Sequence, residues 1–372
     1  MLARSTKSLG RVASARPFST GNDIKCSNLM IECTSTPKTK LPKEELQFGK
    51  TFTDHMLEVD WEIGQGWGNP MIRPYGGISL DPASAVLHYA LECFEGMKAY
   101  IDSEGHVRLF RPDMNMKRLN NSMKRLLLPE FDGDELLKCL AELIRLDKDW
   151  VPTGEGYSLY IRPTGISTQA SIGVGISKKA KLFIILSPVG PYYPEGFNPV
   201  KLCANDRYIR AWPGGTGGYK VGANYAPGIL PQYSASKEGY SQNLWIFGPD
   251  HEITEVGTMN LFIHWINEQG EKELITPPLT RGDILPGITR DSILHLTLAD
   301  GQQGGAAVLE VFGSGTAAVV SPVSTINYMD EDLVIPLDGT DGKAGKLAER
   351  IWKELSDIQY GRREHPWSIV VD

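Results

Sequence analysis

The sequence is poor in cysteine and never spaces two cysteines as CxxC. Its five cysteines are scattered over 372 residues, a pattern that supports neither a disulfide framework nor a zinc site. No apolar run approaches the length of a transmembrane helix. The formal net charge is -7, and the body of the chain has no basic stripe that would attract a phosphate backbone. We therefore expect no metal, no nucleic acid and no membrane among its partners.

Common catalytic signatures are missing as well. The sequence has no HExxH, no GxSxG, no Walker A motif and no GxGxxG after a strand, and its seven histidines do not cluster. Metalloprotease, nucleophile-elbow hydrolase, P-loop and dinucleotide-binding functions are therefore without support. Hydrophobic residues make up 41% of the chain, which is enough for a sizeable core in one large domain or two of ordinary size.

The first twenty residues differ in composition from the rest. They carry four basic residues and several serines, and no acidic residue occurs before Asp23. This composition is typical of a mitochondrial transit peptide, and a solvated basic tail is the alternative. We expect residues 1–20 to direct the chain to the mitochondrial matrix. Residues 21–47 are polar and lack periodicity, which predicts a flexible lead-in without regular structure.

From Phe48 onward, short apolar runs alternate with helical patterns. This alternation predicts a mixed α/β (α+β) enzyme rather than a helical bundle or a β-sandwich. Strands are predicted for the apolar runs at 182–189, 244–248 and 261–266.

Three helices and a domain boundary are also predicted. The helices run from Asp81 to Gly96, behind Asp132, and along the apolar stripe that ends before Gly361. Segment 190–200 is dense in Gly, Pro and Tyr, which predicts an interdomain linker. We expect a small α/β domain at 48–189 and a large domain at 201–372.

Lys220 stands out because it lies in a glycine-rich stretch, GGTGGYKVGANY. Such a stretch lets the backbone approach a ligand closely, although most lysines are only solvated charges and many such loops are only turns. A functional interpretation requires a lysine that becomes a neutral amine in a desolvated site and reacts with an aldehyde.

Three further features are compatible with cofactor binding, although spacing alone leaves each of them open. Glu255 lies beside a Gly-Thr turn and is either a surface charge or a carboxylate that bonds to a pyridinium nitrogen. The segment ILPGITRDSILHL places Pro and Gly before an apolar-periodic run, which predicts a helix N-terminus suited to phosphate. Thr316 lies in the small-residue loop FGSGTA and offers a hydroxyl to an anion.

A series of segments resembles the eukaryotic branched-chain aminotransferases of the mitochondrial type, within the class IV pyridoxal-phosphate aminotransferases. The segments are FTDHMLEVDW, FEGMKAY, VRLFRPDMNMKRL, SLYIRP, GGYKVGANYAPG, TEVGTMN, ILPGITR and EVFGSGTA. They extend in order from about Phe48 to the carboxyl terminus. The resemblance implies a two-domain fold type IV enzyme with pyridoxal 5'-phosphate between the domains and a homodimer as the minimum assembly.

The resemblance also implies a role for each matching residue. Lys220 is expected to be the catalytic lysine, which forms a Schiff base with the cofactor and moves the α-proton. The other cofactor-binding residues are expected to be Arg118, Tyr225, Glu255, Ile288, Thr289 and Thr316. The substrate-binding residues are expected to be Tyr89, Phe94, Tyr160, Arg162, Tyr192, Thr258 and Ala317. The implied reaction transfers the amino group of leucine, isoleucine or valine to 2-oxoglutarate.

The chain departs from the family pattern in two places. Animal mitochondrial relatives can carry a CxxC pair where this chain has Ala318 and Ser321, so no thiol switch is expected there. The family also has a strand and a helix between ILPG and EVFGSGTA, whereas this chain has the shorter TLADGQQGGAAVL. This shortening predicts exposed core and a less well anchored Thr316 loop. The alternative function is therefore a cofactor-binding protein with weak or no activity.

Overall fold

The computed structural model describes residues 21–191, 198–297 and 307–371. The predicted transit peptide at 1–20, Tyr192 and most of the shortened Gly-rich segment lie outside these residues. Within them the chain forms two β-sheets and six α-helices, so the predicted mixed α/β fold class is confirmed. Among the described helices, none combines the length and the apolar character needed to cross a membrane.

The first sheet is formed mainly by the amino-terminal half of the chain. Its strands are β1 (Met30–Ile31), β2 (His55–Glu62), β3 (Gly66–Trp67), β4 (Met71–Pro74), β5 (Glu92–Phe94), β6 (Met97–Ile101), β7 (Val107–Phe110), β8 (Ser158–Ser167), β9 (Lys179–Val189) and β18 (Ser368–Val370). The main path is β1-β4-β2-β9-β8-β6-β7-β18, with β3 beside β2 and β5 beside β8. The last strand thus returns the carboxyl terminus to the first sheet.

The second sheet closes on itself. Its strands are β10 (Val200–Asn205), β11 (Gln242–Phe247), β12 (Glu252–Val256), β13 (Met259–Ile266), β14 (Lys272–Ile275), β15 (Ala307–Gly315), β16 (Val319–Tyr328) and β17 (Glu331–Val334). The path is β10-β11-β12-β13-β15-β16-β17, and β16 also pairs with β10. Six strands therefore form a closed barrel, which removes most of the unpaired sheet edge.

The helices are α1 (Ala85–Tyr89), α2 (Pro112–Arg125), α3 (Gly133–Leu146), α4 (Ile229–Lys237), α5 (Ile288–Thr297) and α6 (Lys346–Gln359). Helices α2 and α3 pack on the first sheet in one hydrophobic core. Helix α6 packs in a second core with residues of β13, β15 and α5.

Strands β6 and β8 present different chemistry on their two faces, because side chains alternate along a strand. One face is apolar and lies in the core beneath α2 and α3, with Met97, Ala99 and Ile161 among its residues. The opposite face carries Lys98, Tyr100, Tyr160 and Arg162. Tyr100 belongs to the core that contains α6 and barrel residues, so this polar face is directed toward the barrel.

Most of the predicted elements are confirmed. The three predicted strands correspond to β9, β11 and β13, and the last two predicted helices correspond to α3 and α6. The Asp132 side chain accepts hydrogen bonds from the backbone N–H groups of Asp134 (3.0 Å) and Glu135 (3.2 Å), which caps α3. After α6, Gly361 has a φ of 70°, a conformation that favours glycine and ends the helix.

The helix predicted from Asp81 to Gly96 is wrong in length. Helix α1 has five residues, because Ala90 adopts a left-handed conformation (φ 48°) that ends it. Cys93, which the predicted helix included, lies instead in β5, where it pairs with Gly165 of β8. A short apolar run fits both helical and strand periods, and here pairing with the sheet decides between them.

The lead-in at 21–47 was expected to lack regular structure, and this prediction is also wrong. Strand β1 pairs in parallel with β4, and the Ile24 side chain is fully buried in the first core. The backbone N–H of Cys26 donates to Glu135 Oε2 on α3 (2.8 Å). The composition of the segment is polar overall, but a buried apolar side chain and strand pairing hold it on the first sheet.

Replacing Ile24 tests this packing. Because its side chain is fully buried, Ile24→Ala should lower the free energy of unfolding by about 2–5 kcal/mol. Ile31→Ala in the same segment is the matched control, since Ile31 is 50% exposed and its truncation should cost little. Urea denaturation followed by fluorescence measures both variants. Equal stabilities of the two variants would contradict the packing of the lead-in.

Candidate active site

Lys220 is fixed between the first sheet and helix α2. Its backbone N–H donates to Ser122 Oγ on α2 (2.9 Å), and its carbonyl accepts from the backbone N–H of Phe94 in β5 (3.0 Å). The next residue, Val221, forms a bridge with Cys93. The lysine that the sequence singled out therefore has its backbone N–H and its carbonyl both held by hydrogen bonds.

The Lys220 side chain is partly buried among aromatic rings. Its Nζ lies 3.1 Å from the Tyr225 hydroxyl and 4.9 Å from the centre of the Phe94 ring. The Phe94 and Tyr225 rings are themselves 4.9 Å apart. Contact with a phenol and with the faces of aromatic rings suits a reactive rather than a solvated lysine.

The glycine-rich stretch allows two chain segments to approach each other closely. A Cβ at Gly217 would lie 2.5 Å from the Asp283 carbonyl oxygen, closer than side chains tolerate. A Cβ at Gly222 would collide with the Glu92 side chain. Glycine at these two positions thus lets the segment of Lys220 lie against both the segment that precedes α5 and β5.

Glu255 is a buried carboxylate, not a surface charge. It lies in β12 with 2% of its surface exposed. Its Oε1 accepts hydrogen bonds from Asn260 Nδ2 (3.1 Å) and the backbone N–H of Leu285 (3.3 Å), while Oε2 forms an ion pair with Arg210. Burial raises the pKa of Glu255 to about 7, and Arg210 and Lys220 oppose this rise. The carboxylate is therefore rigidly held and electrostatically coupled to Lys220.

Arg118 is held by a second buried carboxylate. Its Nε and one terminal nitrogen donate to the two oxygens of Glu95, at 2.6 and 2.9 Å, and its other terminal nitrogen donates to the Pro286 carbonyl (3.0 Å). Burial alone would lower the pKa of Arg118, but the Glu95 charge raises it above its usual value. The guanidinium therefore stays cationic and lies beside the start of α5.

The predicted helix N-terminus at ILPG is confirmed. Helix α5 begins at Ile288, and the side chains of Ile288 and Thr289 are buried. The first backbone N–H groups of a helix have no partner within the helix and attract anions. With Arg118 bonded to Pro286, this helix end combines free N–H groups with a fixed cation.

Two turns lie at the same end of the barrel, because Asn260 of β13 pairs with Ser314 of β15. Thr258, in the β12–β13 turn, is exposed, and Thr316 and Ala317 form the β15–β16 turn. Thr316 Oγ1 donates to the Gly96 carbonyl (3.3 Å), and Lys98 Nζ donates to the Ala317 carbonyl (2.8 Å).

The shortened Gly-rich segment was expected to leave this β15–β16 turn less well anchored. In the described residues, however, two hydrogen bonds attach the turn to β6 and its approach. Strand β15 also keeps its pairing with β13 and β16. The anchors of the turn thus come from the first sheet, and its weaker anchoring relative to other members of the family stays a prediction. At the other end of β15, the side chain of Val308 is 42% exposed.

Tyr160 and Arg162 lie on the polar face of the first sheet beside Phe94. Arg162 donates to the Tyr160 hydroxyl (2.9 Å), and its guanidinium lies 4.6 Å from the centre of the Phe94 ring. A Cβ at Gly96 would collide with the Tyr160 hydroxyl, so glycine is required there. Arg162 Nε is buried and has no hydrogen-bond partner among the described residues. This unpaired donor is suited to an anionic ligand.

The hydrogen bond of Tyr89 does not connect it to Phe94, Tyr160 or Arg162. It is the last residue of α1, 38% exposed, and its hydroxyl donates to the Ile172 carbonyl. Tyr192, the other predicted pocket tyrosine, lies outside the described residues. Of the other predicted residues, Phe94 and Tyr225 contact Lys220 directly, and Tyr160 and Arg162 join them through Phe94.

Four residues of this arrangement were not predicted from the sequence: Glu95, Asn115, Arg210 and Lys98. Each acts through a contact between residues far apart in the chain, such as Asn115 Nδ2 to Glu95 Oε2 (2.7 Å) or Lys98 to Ala317. Glu95 directly follows Phe94 in a motif that had already been noted, and its acidic charge inside an apolar run was the one available signal.

Comparisons with known proteins agree with this geometry. Residues 92–326 match the family model for amino-transferase class IV. A branched-chain-amino-acid aminotransferase of Dictyostelium discoideum is 53% identical, over 96% of this chain and 98% of the relative. The mitochondrial enzyme of Saccharomyces cerevisiae is 48% identical (100% and 99% covered), and the cytosolic enzyme of Mus musculus is 51% identical (93% and 93%). These relatives do not distinguish a mitochondrial from a cytosolic type.

Solved structures give the same family. The branched-chain amino acid aminotransferase of Escherichia coli superposes with a TM-score of 0.67 at 26% identity, covering 84% of this chain and 99% of that chain. The T.th. enzyme complexed with N-(5'-phosphopyridoxyl)-L-glutamate has a TM-score of 0.63 at 25% identity, covering 84% and 98%. Both carry the predicted fold type IV architecture over most of the chain.

Because the family model covers more than half of its residues and curated relatives share about half of its sequence over nearly their whole length, the chain belongs to the class IV amino-transferases and, within them, to the branched-chain-amino-acid aminotransferase family.

Proposed function

We propose that the chain is a pyridoxal-phosphate-dependent aminotransferase that moves the amino group of leucine, isoleucine or valine to 2-oxoglutarate. The observation that carries this proposal is the Lys220 amine, 3.1 Å from the Tyr225 hydroxyl and electrostatically coupled to the buried Glu255. Membership of the branched-chain aminotransferase family supports the choice of substrates.

The donor set around Lys220 fits pyridoxal 5'-phosphate. An amine, a phenol and a buried carboxylate match the aldehyde, the phenolic oxygen and the ring nitrogen of this cofactor, so we assign these contacts to Lys220, Tyr225 and Glu255. The α5 N-terminus at Ile288 and Thr289, together with Arg118 and Thr316, would hold the phosphate. The related T.th. structure, which contains a phosphopyridoxyl group, supports this assignment.

In the proposed mechanism, the bound cofactor supplies an electron-withdrawing ring that stabilises negative charge at the substrate α-carbon. Lys220 Nζ removes the α-proton as a general base and returns a proton as a general acid. Tyr225 holds this amine by its hydrogen bond, and the buried Glu255 carboxyl would hold the ring nitrogen. The donor's amino group would remain on the bound cofactor after the 2-oxo acid has left and until 2-oxoglutarate binds, which gives ping-pong kinetics.

Three groups of residues would bind substrate. Thr258 and Ala317 lie in the turns that we assign to the α-carboxylate. Phe94, with Tyr89 and Tyr192, would line the apolar pocket for the branched side chain. Tyr160 and Arg162 would accept the distal carboxylate of glutamate or 2-oxoglutarate, for which the unpaired Arg162 Nε is suited.

We further propose two domains and a homodimer. The gap between β9, which ends at Val189, and β10, which begins at Val200, supports a linker at 190–200. β18 is the exception to the predicted boundaries, because it pairs with β7 of the first sheet.

The homodimer is supported by exposed apolar side chains in one loop. Ile172 (71% exposed) and Val174 (82% exposed) could be buried against a second copy of the chain.

Replacing the reactive lysine tests the proposed activity. Lys220→Ala should reduce leucine-dependent formation of glutamate from 2-oxoglutarate by roughly 10²–10⁴-fold or more, because it removes the general base. Lys178→Ala is the matched control, since Lys178 is exposed and outside the site. Borohydride reduction with the cofactor present should add the cofactor mass to the peptide of Lys220 in the unaltered chain and in the control, but not in Lys220→Ala.

The unaltered chain separates the two candidate functions. Covalent capture of the cofactor without transamination of leucine, isoleucine or valine would favour the weakly active binding protein. Full activity in Lys220→Ala would refute the assignment of the base.

Arg162 should determine recognition of the acceptor. Because its guanidinium offers unpaired N–H donors, Arg162→Gln should raise the KM for 2-oxoglutarate by about tenfold, the effect of losing one charge-assisted hydrogen bond. The KM for leucine, which has no distal carboxylate, should change much less. Steady-state kinetics with both substrates measures this ratio. Equal changes in the two KM values would contradict the assignment.

The mitochondrial location is likewise a proposal. It is supported by the basic, acid-free composition of residues 1–20 and by mitochondrial relatives, although cytosolic relatives are equally similar. Residues 1–20 fused to a fluorescent protein should direct it to mitochondria. The same fusion with Arg4, Lys7, Arg11 and Arg16 changed to glutamine should stay in the cytosol, and mitochondrial import of both fusions would contradict a charge-dependent signal.

A further inference from the structure

Lys98 is a buried lysine that has no role in the mechanism proposed above. It lies in β6, 7% exposed, on the polar face of the first sheet opposite Tyr160. Within the described residues, no carboxylate forms an ion pair with it. The nearby Glu95 is occupied by Arg118 and Asn115. Lysine is almost never fully buried without a partner, so its retention here requires an explanation.

Among the described residues, the Lys98 amine makes its hydrogen bond with the barrel. Its Nζ donates to the Ala317 carbonyl (2.8 Å), in the turn between β15 and β16. Burial lowers the pKa of Lys98 to about 8, so the amine is largely protonated at neutral pH. A positive charge is thus fixed against a peptide group of the turn that we assign to the substrate α-carboxylate.

This hydrogen bond orients a whole peptide group. The carbonyl of Ala317 and the N–H of Ala318 belong to one planar trans unit and point in opposite directions. With the carbonyl held by Lys98, the N–H is held pointing away from Lys98. Polarisation of the carbonyl by a cation also makes the N–H of the same unit a stronger donor. Thr316 Oγ1, bonded to Gly96, fixes the preceding residue of the turn from the same strand region.

We propose that Lys98 is a positioning residue for carboxylate binding, which holds the Ala317–Ala318 peptide group and supplies positive charge behind it. The ligand class is the α-carboxylate that the amino-acid donor and the 2-oxo-acid acceptor have in common. This inference rests on the proposed aminotransferase function. It gives the first sheet a direct part in substrate binding by the barrel.

Lys98→Met tests the proposal, because methionine fills similar space without charge. We expect the KM values for leucine and for 2-oxoglutarate both to rise by about tenfold, with a smaller change in kcat. The midpoint of thermal unfolding should not fall, since an unpaired buried charge has been removed. Lys98→Arg, which keeps the charge and a donor, should recover most of the affinity.

Lys181→Met is the matched control for burial. Lys181 is also a buried lysine of the first sheet, but it pairs with Asp60 (3.0 Å) and Glu58 (3.4 Å), far from the turn in sequence. We expect Lys181→Met to lower the unfolding midpoint and to leave both KM values unchanged. Unchanged KM values in Lys98→Met, or a lower midpoint as their only change, would overturn the proposal.

Hydrogen exchange provides a readout that does not depend on activity. The peptide covering residues 316–320 should exchange faster in Lys98→Met than in the unaltered chain, and no faster in Lys181→Met. If the unaltered chain did not transaminate, the proposed function would fail, while the exchange result would still decide whether Lys98 holds the turn. Equal exchange in all three proteins would refute that role.

Discussion

The interaction on which the rest of the site depends is the buried pair of Glu95 and Arg118. Its two hydrogen bonds join the approach to β6 to helix α2, and the third bond of Arg118, to Pro286, joins both to the start of α5. A buried carboxylate or guanidinium alone would be costly, but here each satisfies the other and Asn115 satisfies a further lone pair of Glu95. Breaking either partner would leave an uncompensated charge where the two sheets meet. The position of the α5 N-terminus relative to Lys220 therefore depends on this pair.

The sequence predicted those elements whose signals are local. Helix α3 has a capping aspartate, Asp132, and helix α6 has an apolar stripe followed by glycine, so the start of α3 and the end of α6 were predicted correctly. The helix predicted through Cys93 failed because the apolar spacing was also compatible with a strand, and β8 supplied the pairing that no local signal reports. The burial of Ile24 was not predicted for a related reason. One buried side chain hardly changes the polar composition of its segment.

The same distinction applies to the candidate site. Lys220 and Glu255 lie in conspicuous motifs, and each makes a hydrogen bond with a residue of its own motif, Tyr225 and Asn260 respectively. Lys98, Arg210 and Glu95 act across more than twenty residues of chain, so their partners could not be identified before the fold was known. The bonds that hold the Thr316 turn to the first sheet could not be predicted either, because the family pattern gives the segment that precedes β15 but not the contacts of the turn.

The charges around Lys220 fall into two classes, and this division has a consequence for the substrates. Arg118 and Arg210 are paired with the buried glutamates Glu95 and Glu255, which hold both guanidinium groups in place. Lys98 and Arg162 have no carboxylate partner among the described residues, and they lie at different places, one against the β15–β16 turn and the other beside Phe94. An amino-acid donor has one carboxylate, whereas 2-oxoglutarate has two. Two separate unpaired cations match the two carboxylates of 2-oxoglutarate. When the substrate has a single carboxylate, the aromatic ring beside Arg162 offers an apolar surface to its branched side chain. A single site can therefore bind both kinds of substrate in turn, because the charge that the second carboxylate needs already lies beside an aromatic ring that an apolar side chain can contact.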